Sequence, residues 1–169
     1  MGKHINPFIG AKEFLHDNVN SYSRYGLCFK DGNVSDYVNI KEITERLEKV
    51  RALRKSSNAD RIQKMADYPY LFCQIRQPLS TYLVFPRHSS QNRRYIPIGF
   101  MPSSVIAGDA CSIIPNVPIY EFGVLTSNVH NAWMRVTCGR IKSDFRYSPA
   151  VYNNFPWPTP TLEQKAKIE

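Results

Sequence analysis

This chain is short of the residues that build metal clusters, cofactor cradles and membrane anchors. Its four cysteines, Cys28, Cys73, Cys111 and Cys138, stand 45, 38 and 27 residues apart, form no CxxC and have no histidine within four residues. Zinc ribbons and fingers are therefore excluded, and buried free thiols are expected. Only 8 glycines occur in 169 residues, and none builds a Walker or dinucleotide-binding loop. The Asn-Pro-Pro-aromatic and Asp-Pro-Pro-aromatic motifs of amino-methyltransferases are missing; the one Asn-Pro is Asn6-Pro7, followed by Phe8. There is no GxSxG elbow, and His4, His16, His88 and His130 are dispersed. A triad gathered from distant positions stays open as a lesser alternative, because such sites are geometric. No apolar run approaches the ~20 residues that cross a bilayer, and residues 1–14 hold no signal-peptide segment. The expectation is a soluble, cytoplasmic chain with no membrane partner that binds rather than reacts.

What the chain does have is a core and a localised charge. It is 43% hydrophobic, which at this length supports burial of roughly 70% of the extended surface. Of the net charge of +8, residues 41–94 supply 12 basic against 5 acidic groups, whereas the flanking stretches hold 4 against 4 and 6 against 5. A concentrated basic field favours a polyanion, nucleic acid first and acidic membrane second.

Periodicity divides the chain. Residues 1–20 read as a polar leading arm, Tyr22–Lys30 as a strand and Asp31-Gly32-Asn33 as its turn. Ile43, Leu47, Val50 and Leu53 or Arg54 recur at the helical period, and Asp60–Ala66 adds two turns. Short strands follow at Tyr70–Arg76, Thr81–Phe85, Arg94–Ile98 and Ala110–Ile114, with prolines near their ends. Ile119, Phe122, Leu125, Val129, Trp133 and Val136 mark a helix stopped by Gly139, with His130 and Met134 as packing or surface residues. Arg140–Tyr147 and Ala150–Phe155 read as extended. Residues 159–169 open a helix expected to continue beyond the end of this chain, leaving 1–158 as the domain proper.

Two polar stretches carry the functional expectation. The first packs Arg87, His88, Ser89, Ser90, Gln91, Asn92, Arg93 and Arg94 between strands; these side chains grip phosphates and base edges, although a solvated hairpin loop has the same composition. In the second, an extended Arg140–Tyr147 places Arg140, Lys142, Asp144 and Arg146 on one face. Lys142 then donates to guanine O6 and N7, and Asp144 accepts from cytosine N4, so the two suit the halves of one G·C pair. A surface ion pair remains the alternative. Arg87, Arg93, Arg94, Lys142 and Arg146 are expected to line one basic surface.

The runs YLVFPRHSSQNRRYIPIGFMPSSVIAGDA, YEFGVLTSNVHNAWMRVTCGRIKSDFRYS and VYNNFPWP, together with IGAKEF, ERLEKVRALRKSS and FCQIRQP upstream, resemble the target-recognition domain of MmeI-like restriction-modification enzymes and related N6-adenine methyltransferases. The passage FPWPTPTLEQKAKIE also resembles the exit of type I specificity-subunit recognition domains into their long helices. The likeness implies an α+β fold, an irregular mixed sheet with packed helices. It further implies a double-stranded DNA partner, a methyltransferase domain in the same parent chain, and S-adenosylmethionine bound there, with no cofactor or metal in the present residues. Lys142 and Asp144 match a pair that varies together with the identity of one base pair, and Ser143 and Arg146 match neighbours tied to specificity or backbone contact. A protein-interaction or scaffold domain without DNA readout is the competing interpretation.

Overall fold

The computed structural model describes residues 4–16, 22–29, 35, 37–74 and 76–169. In chain order these form β1 (Ile5–Ile9), α1 (Ala11–His16), β2 (Tyr25–Leu27), α2 (Lys41–Lys55), α3 (Asp60–Lys64) with a 3-10 turn at Met65–Asp67, β3 (Tyr82–Pro86), β4 (His88–Ser89), β5 (Gly99–Met101), β6 (Ile106–Ala107), β7 (Cys111–Pro115), α4 (Ile119–Leu125), α5 (Asn128–Thr137), β8 (Gly139–Ile141), β9 (Asp144–Arg146), α6 (Pro149–Asn153) and α7 (Leu162–Ala166). This is the mixed α+β class that the sequence implies. The chain divides into one compact unit of residues 1–6 and 25–76 and a second of 7–24 and 77–169. No helix among the described residues is long and apolar enough to cross a membrane.

In the first unit α2 forms where the apolar period leads, and its last inward position is Arg54 rather than Leu53, which is 73% exposed. The Arg54 guanidinium donates to the carbonyls of Met65 and Tyr68, both at 2.8 Å, and Leu71 at 2.7 Å. Met65 O and Tyr68 O also accept from the backbone N–H groups of Tyr68 and Leu71, so one planar fork adds a second donor to two turn carbonyls and reaches a third at Leu71. The strand expected at Tyr70–Arg76 is absent from its described residues, where Leu71 O accepts from Arg54 and Cys73 O from Arg61.

The second unit is organised by β3. It is the central strand of the sheet β5-β3-β7, antiparallel to both neighbours, with all five residues buried. Tyr82 and Val84 face a core shared with Ile9, Met101, Val105 and Cys111; Phe85, on the opposite face, joins Ile96, Met134, Phe145, Tyr147 and Val151. A strand buried on both faces reads as a continuous apolar run rather than an alternation, as YLVFP does. The leading arm contributes structure: in β1, Phe8 and Ile9 pair in parallel with Ile106 and Ala107 of β6. Burial also raises the Cys111 thiol to about 11 and the Tyr82 hydroxyl to about 12. Cys111 is the buried thiol; Cys28, Cys73 and Cys138 are half-buried, and all four are free.

Several sequence expectations shift. The strand expected at Tyr22–Lys30 shortens to β2, and Lys30 and the Asp31-Gly32-Asn33 turn lie outside the described residues. The strand expected at Arg94–Ile98 forms later, as β5, because Arg93 and Arg94 give their carbonyls to side chains of α5. The single helix expected from Ile119 is two: Ser127 is extended, and its side chain caps α5 by accepting from His130 N at 3.2 Å. That break resets the helical phase, so Val136 is 85% exposed while His130, at 1%, and Met134 face the core. Pro149 starts α6 at its first turn, where a missing N–H costs nothing, so 150–155 is not extended.

Candidate nucleic-acid interface

The two polar stretches meet in the second unit on the small antiparallel sheet β4-β9-β8. His88 lies opposite Arg146 and Ser89 opposite Phe145; across the hairpin, Gly139 faces Arg146, Arg140 faces Phe145 and Ile141 faces Asp144. Directly opposed residues share a face. His88, Asp144, Arg146, Ile141 and Gly139 therefore share the outer face, while Ser89, Arg140 and Phe145 share the other.

The comb expected from an unbroken strand does not form. Ile141 pairs with Asp144 across a two-residue turn, Lys142-Ser143, in which Lys142 takes a positive φ of 54°. The turn inverts the alternation, so Arg140 falls opposite Phe145 and away from Asp144 and Arg146. Its guanidinium lies 4.4 Å from the Phe145 ring centroid and donates to Ser143 O at 3.0 Å, bracing the turn. Lys142 and Ser143 project at an exposed tip. Ser89 is also corrected: at 4% exposure it packs inward and offers nothing to a ligand.

Asp144 ties the two stretches together. One carboxylate oxygen, Oδ1, accepts from the backbone N–H of Gln91 at 3.3 Å, and the other has no partner among the described residues. Within the polar loop, Ser90 Oγ accepts from Asn92 N and Ser90 O from Arg93 N, folding it tightly. Arg87, His88, Gln91, Asn92 and Arg94 are exposed, and Arg93 and Ser90 are half-buried. Below them Phe145 and Tyr147 anchor β9 in the core, with Tyr147 4.8 Å from the Phe85 ring and its N–H bonded to Arg87 O at 2.9 Å. The Tyr147 hydroxyl bonds His130 Nε2 at 2.9 Å, and His130 Nδ1 bonds Leu125 O at 2.8 Å. With Nδ1 as the donor to that carbonyl, Nε2 accepts from Tyr147. Burial holds His130 below the usual imidazole range and lifts the Tyr147 hydroxyl well above its own.

Known proteins share this fold. A family described as the MmeI target recognition domain matches residues 1–159. The chain belongs to that MmeI target-recognition-domain family. It superposes with a TM-score of 0.90 and 38% identity on the type IIL restriction-modification enzyme MmeI, solved in complex with DNA, over 97% of this chain and 22% of that one. DNA methyltransferase A of Bacillus subtilis (strain 168) is 31% identical over 167 residues, 98% of this chain and 18% of that protein. The chain thus spans about a fifth of the length of these relatives.

The residues that sequence reasoning missed in this recognition domain lie on α5. Asn128 Oδ1 accepts from the Tyr95 hydroxyl, Asn131 Nδ2 donates to Arg94 O at 2.6 Å, and Arg135 Nη2 donates to both Arg93 O and Arg94 O. Their spacing of three and four, a polar stripe on one helix face, was the available signal. The buried unpaired acceptors among the described residues, Glu121 Oε2 and Asn131 Oδ1, lie one on each of two helices with no glycine-rich loop beside either, a set that does not fit S-adenosylmethionine. No group of His, Cys, Asp and Glu among the described residues is placed to hold a metal ion.

Proposed function

We propose that this chain reads the sequence of double-stranded DNA for a larger cytoplasmic enzyme that methylates adenine at N6. The methyl donor, S-adenosylmethionine, belongs to a methyltransferase domain elsewhere in that protein, and a nuclease is an optional further part. The observation that carries this reading is the outer face of the sheet β4-β9-β8, where His88, Asp144 and Arg146 stand beside the Arg87–Arg94 loop on the fold shared with DNA-bound MmeI.

The roles divide by chemistry. Lys142 and Asp144 supply a donor and an acceptor for the two halves of a G·C pair, with Ser143 and Arg146 beside them. Arg87, Arg93 and Arg94 supply positive charge for phosphates, and His88, Ser90, Gln91 and Asn92 supply neutral hydrogen bonds, while Arg140, expected at the DNA from the sequence, braces the turn from the other face.

Selection from a random duplex pool defines a site, after which substitutions assign the roles. Asp144→Ala is expected to cost about 1–3 kcal/mol of discrimination at one base pair, and Lys142→Glu with Asp144→Arg to favour the reversed pair. Arg87→Ala, Arg93→Ala and Arg94→Ala are expected to weaken all duplexes alike and to lower the salt slope by about one each. A chain that enriches no sequence contradicts DNA reading. An unchanged site after the double swap removes Lys142 and Asp144 from base reading.

A further inference from the structure

We infer that Arg135, on α5, is a positioning residue that sets the polar loop and the reading strand as one rigid surface. The inference rests on the DNA-reading function for its consequence, and on the geometry of the second unit for its mechanism. Arg135 is the residue through which the loop and the strand touch a common support. Its Nη2 donates to two consecutive carbonyls, Arg93 O and Arg94 O, and its guanidinium carbon stands 5.1 Å from the Phe145 ring centroid. Phe145 lies between Asp144 and Arg146 in β9, and its inward ring fixes which way those two residues face.

One turn earlier on the helix, Asn131 also donates to Arg94 O, so that carbonyl receives two donors while the Arg94 side chain stays exposed. No carboxylate pairs with Arg135 among the described residues, so its charge is held by carbonyl dipoles and a ring face. Bonding two carbonyls and stacking on a ring at once requires the planar guanidinium; an ammonium on a flexible stem supplies charge but not this geometry. Asp144 closes the arrangement from the other side by accepting from Gln91 N. Beyond the β4–β9 ladder, which joins only the start of the loop to the strand, its far half is tied back at Asp144 through Gln91 N and at Arg135 through the Arg93 and Arg94 carbonyls.

The test compares Arg135→Lys and Arg135→Met with the unaltered chain. Without DNA, amide hydrogen exchange at residues 90–95 is expected to quicken at least about tenfold in both variants while exchange in β3 is unchanged. Loop amides as protected as in the unaltered chain overturn the inference, whatever the chain does with DNA. With the selected duplex, Arg94→Ala and Asp144→Ala are combined with Arg135→Lys. Each is expected to lower affinity less on the Arg135→Lys background than alone, by a factor of about five, since groups already misplaced have less to lose. Fully additive losses overturn the coupling even where the loop has loosened. A chain that selects no duplex refutes DNA reading, and the exchange result then still decides whether Arg135 holds the loop.

Discussion

His130 binds a proton less readily than a free imidazole because it is buried, and the backbone bond to Leu125 offsets only part of that cost. Between its depressed folded value and the unfolded value of 6.5, the unfolded chain carries the extra proton. Stability is therefore complete above that range and falls as pH drops through it. The melting temperature of the unaltered chain is expected to decline from pH 7 to pH 5 more steeply than that of His130→Gln, which has no titrating ring. Parallel curves would show that His130 does not carry the dependence. Glu13 stays out of this window, because the Arg24 hydrogen bond holds its carboxyl below 4.5. At the same scale, Gly139 is a glycine the fold does not call for. Its φ is not positive, and a Cβ there would meet nothing within 4 Å. Gly139→Ala is expected to leave the melting temperature unchanged or slightly raised, since alanine has less backbone entropy to lose. A clear fall in the melting temperature would contradict this.

Among the elements, α2 with the turns after it depends on one side chain. Arg54→Met removes three charge-assisted hydrogen bonds and leaves the carbonyls of Met65, Tyr68 and Leu71 without that donor, so the first unit is expected to lose about 3 kcal/mol. Denaturant unfolding followed by circular dichroism checks this; an unmoved midpoint would show that water satisfies the three carbonyls equally well. The reach of the sequence is visible here too. The course of α2 was legible because Ile43, Leu47 and Val50 keep the helical period, and β3 was legible as an apolar run between breaks. The α4–α5 junction was not, because Thr126-Ser127 caps a new helix without interrupting the apolar spacing. The hairpin was also missed: its turn contains neither glycine nor asparagine, the residues that ordinarily announce a positive φ. A single non-glycine residue in that conformation, Lys142, inverts which side chains of residues 139–146 share a face.

At the scale of the whole molecule, the chain passes between its two units at residues 6–7, 24–25 and 76–77, so neither unit is one continuous stretch. A chain of residues 77–169 keeps most of the second unit but loses Ile9 from the core and the β1 partner of β6. It is expected to bind a hydrophobic dye and to melt without a sharp transition, and restoring residues 7–24 is expected to recover cooperativity. A sharp melt from 77–169 alone would show that the leading segment is dispensable. On β9, Asp144 and Arg146 point outward while Phe145 and, beyond it, Tyr147 point inward, so what the hairpin offers a ligand and what holds it in place are written on alternate residues. Outward positions can be exchanged one at a time while the inward rings stay seated. On the proposed reading, a lineage that keeps Phe145 and Tyr147 changes its target at Asp144 and Arg146 without passing through an ancestor that cannot fold.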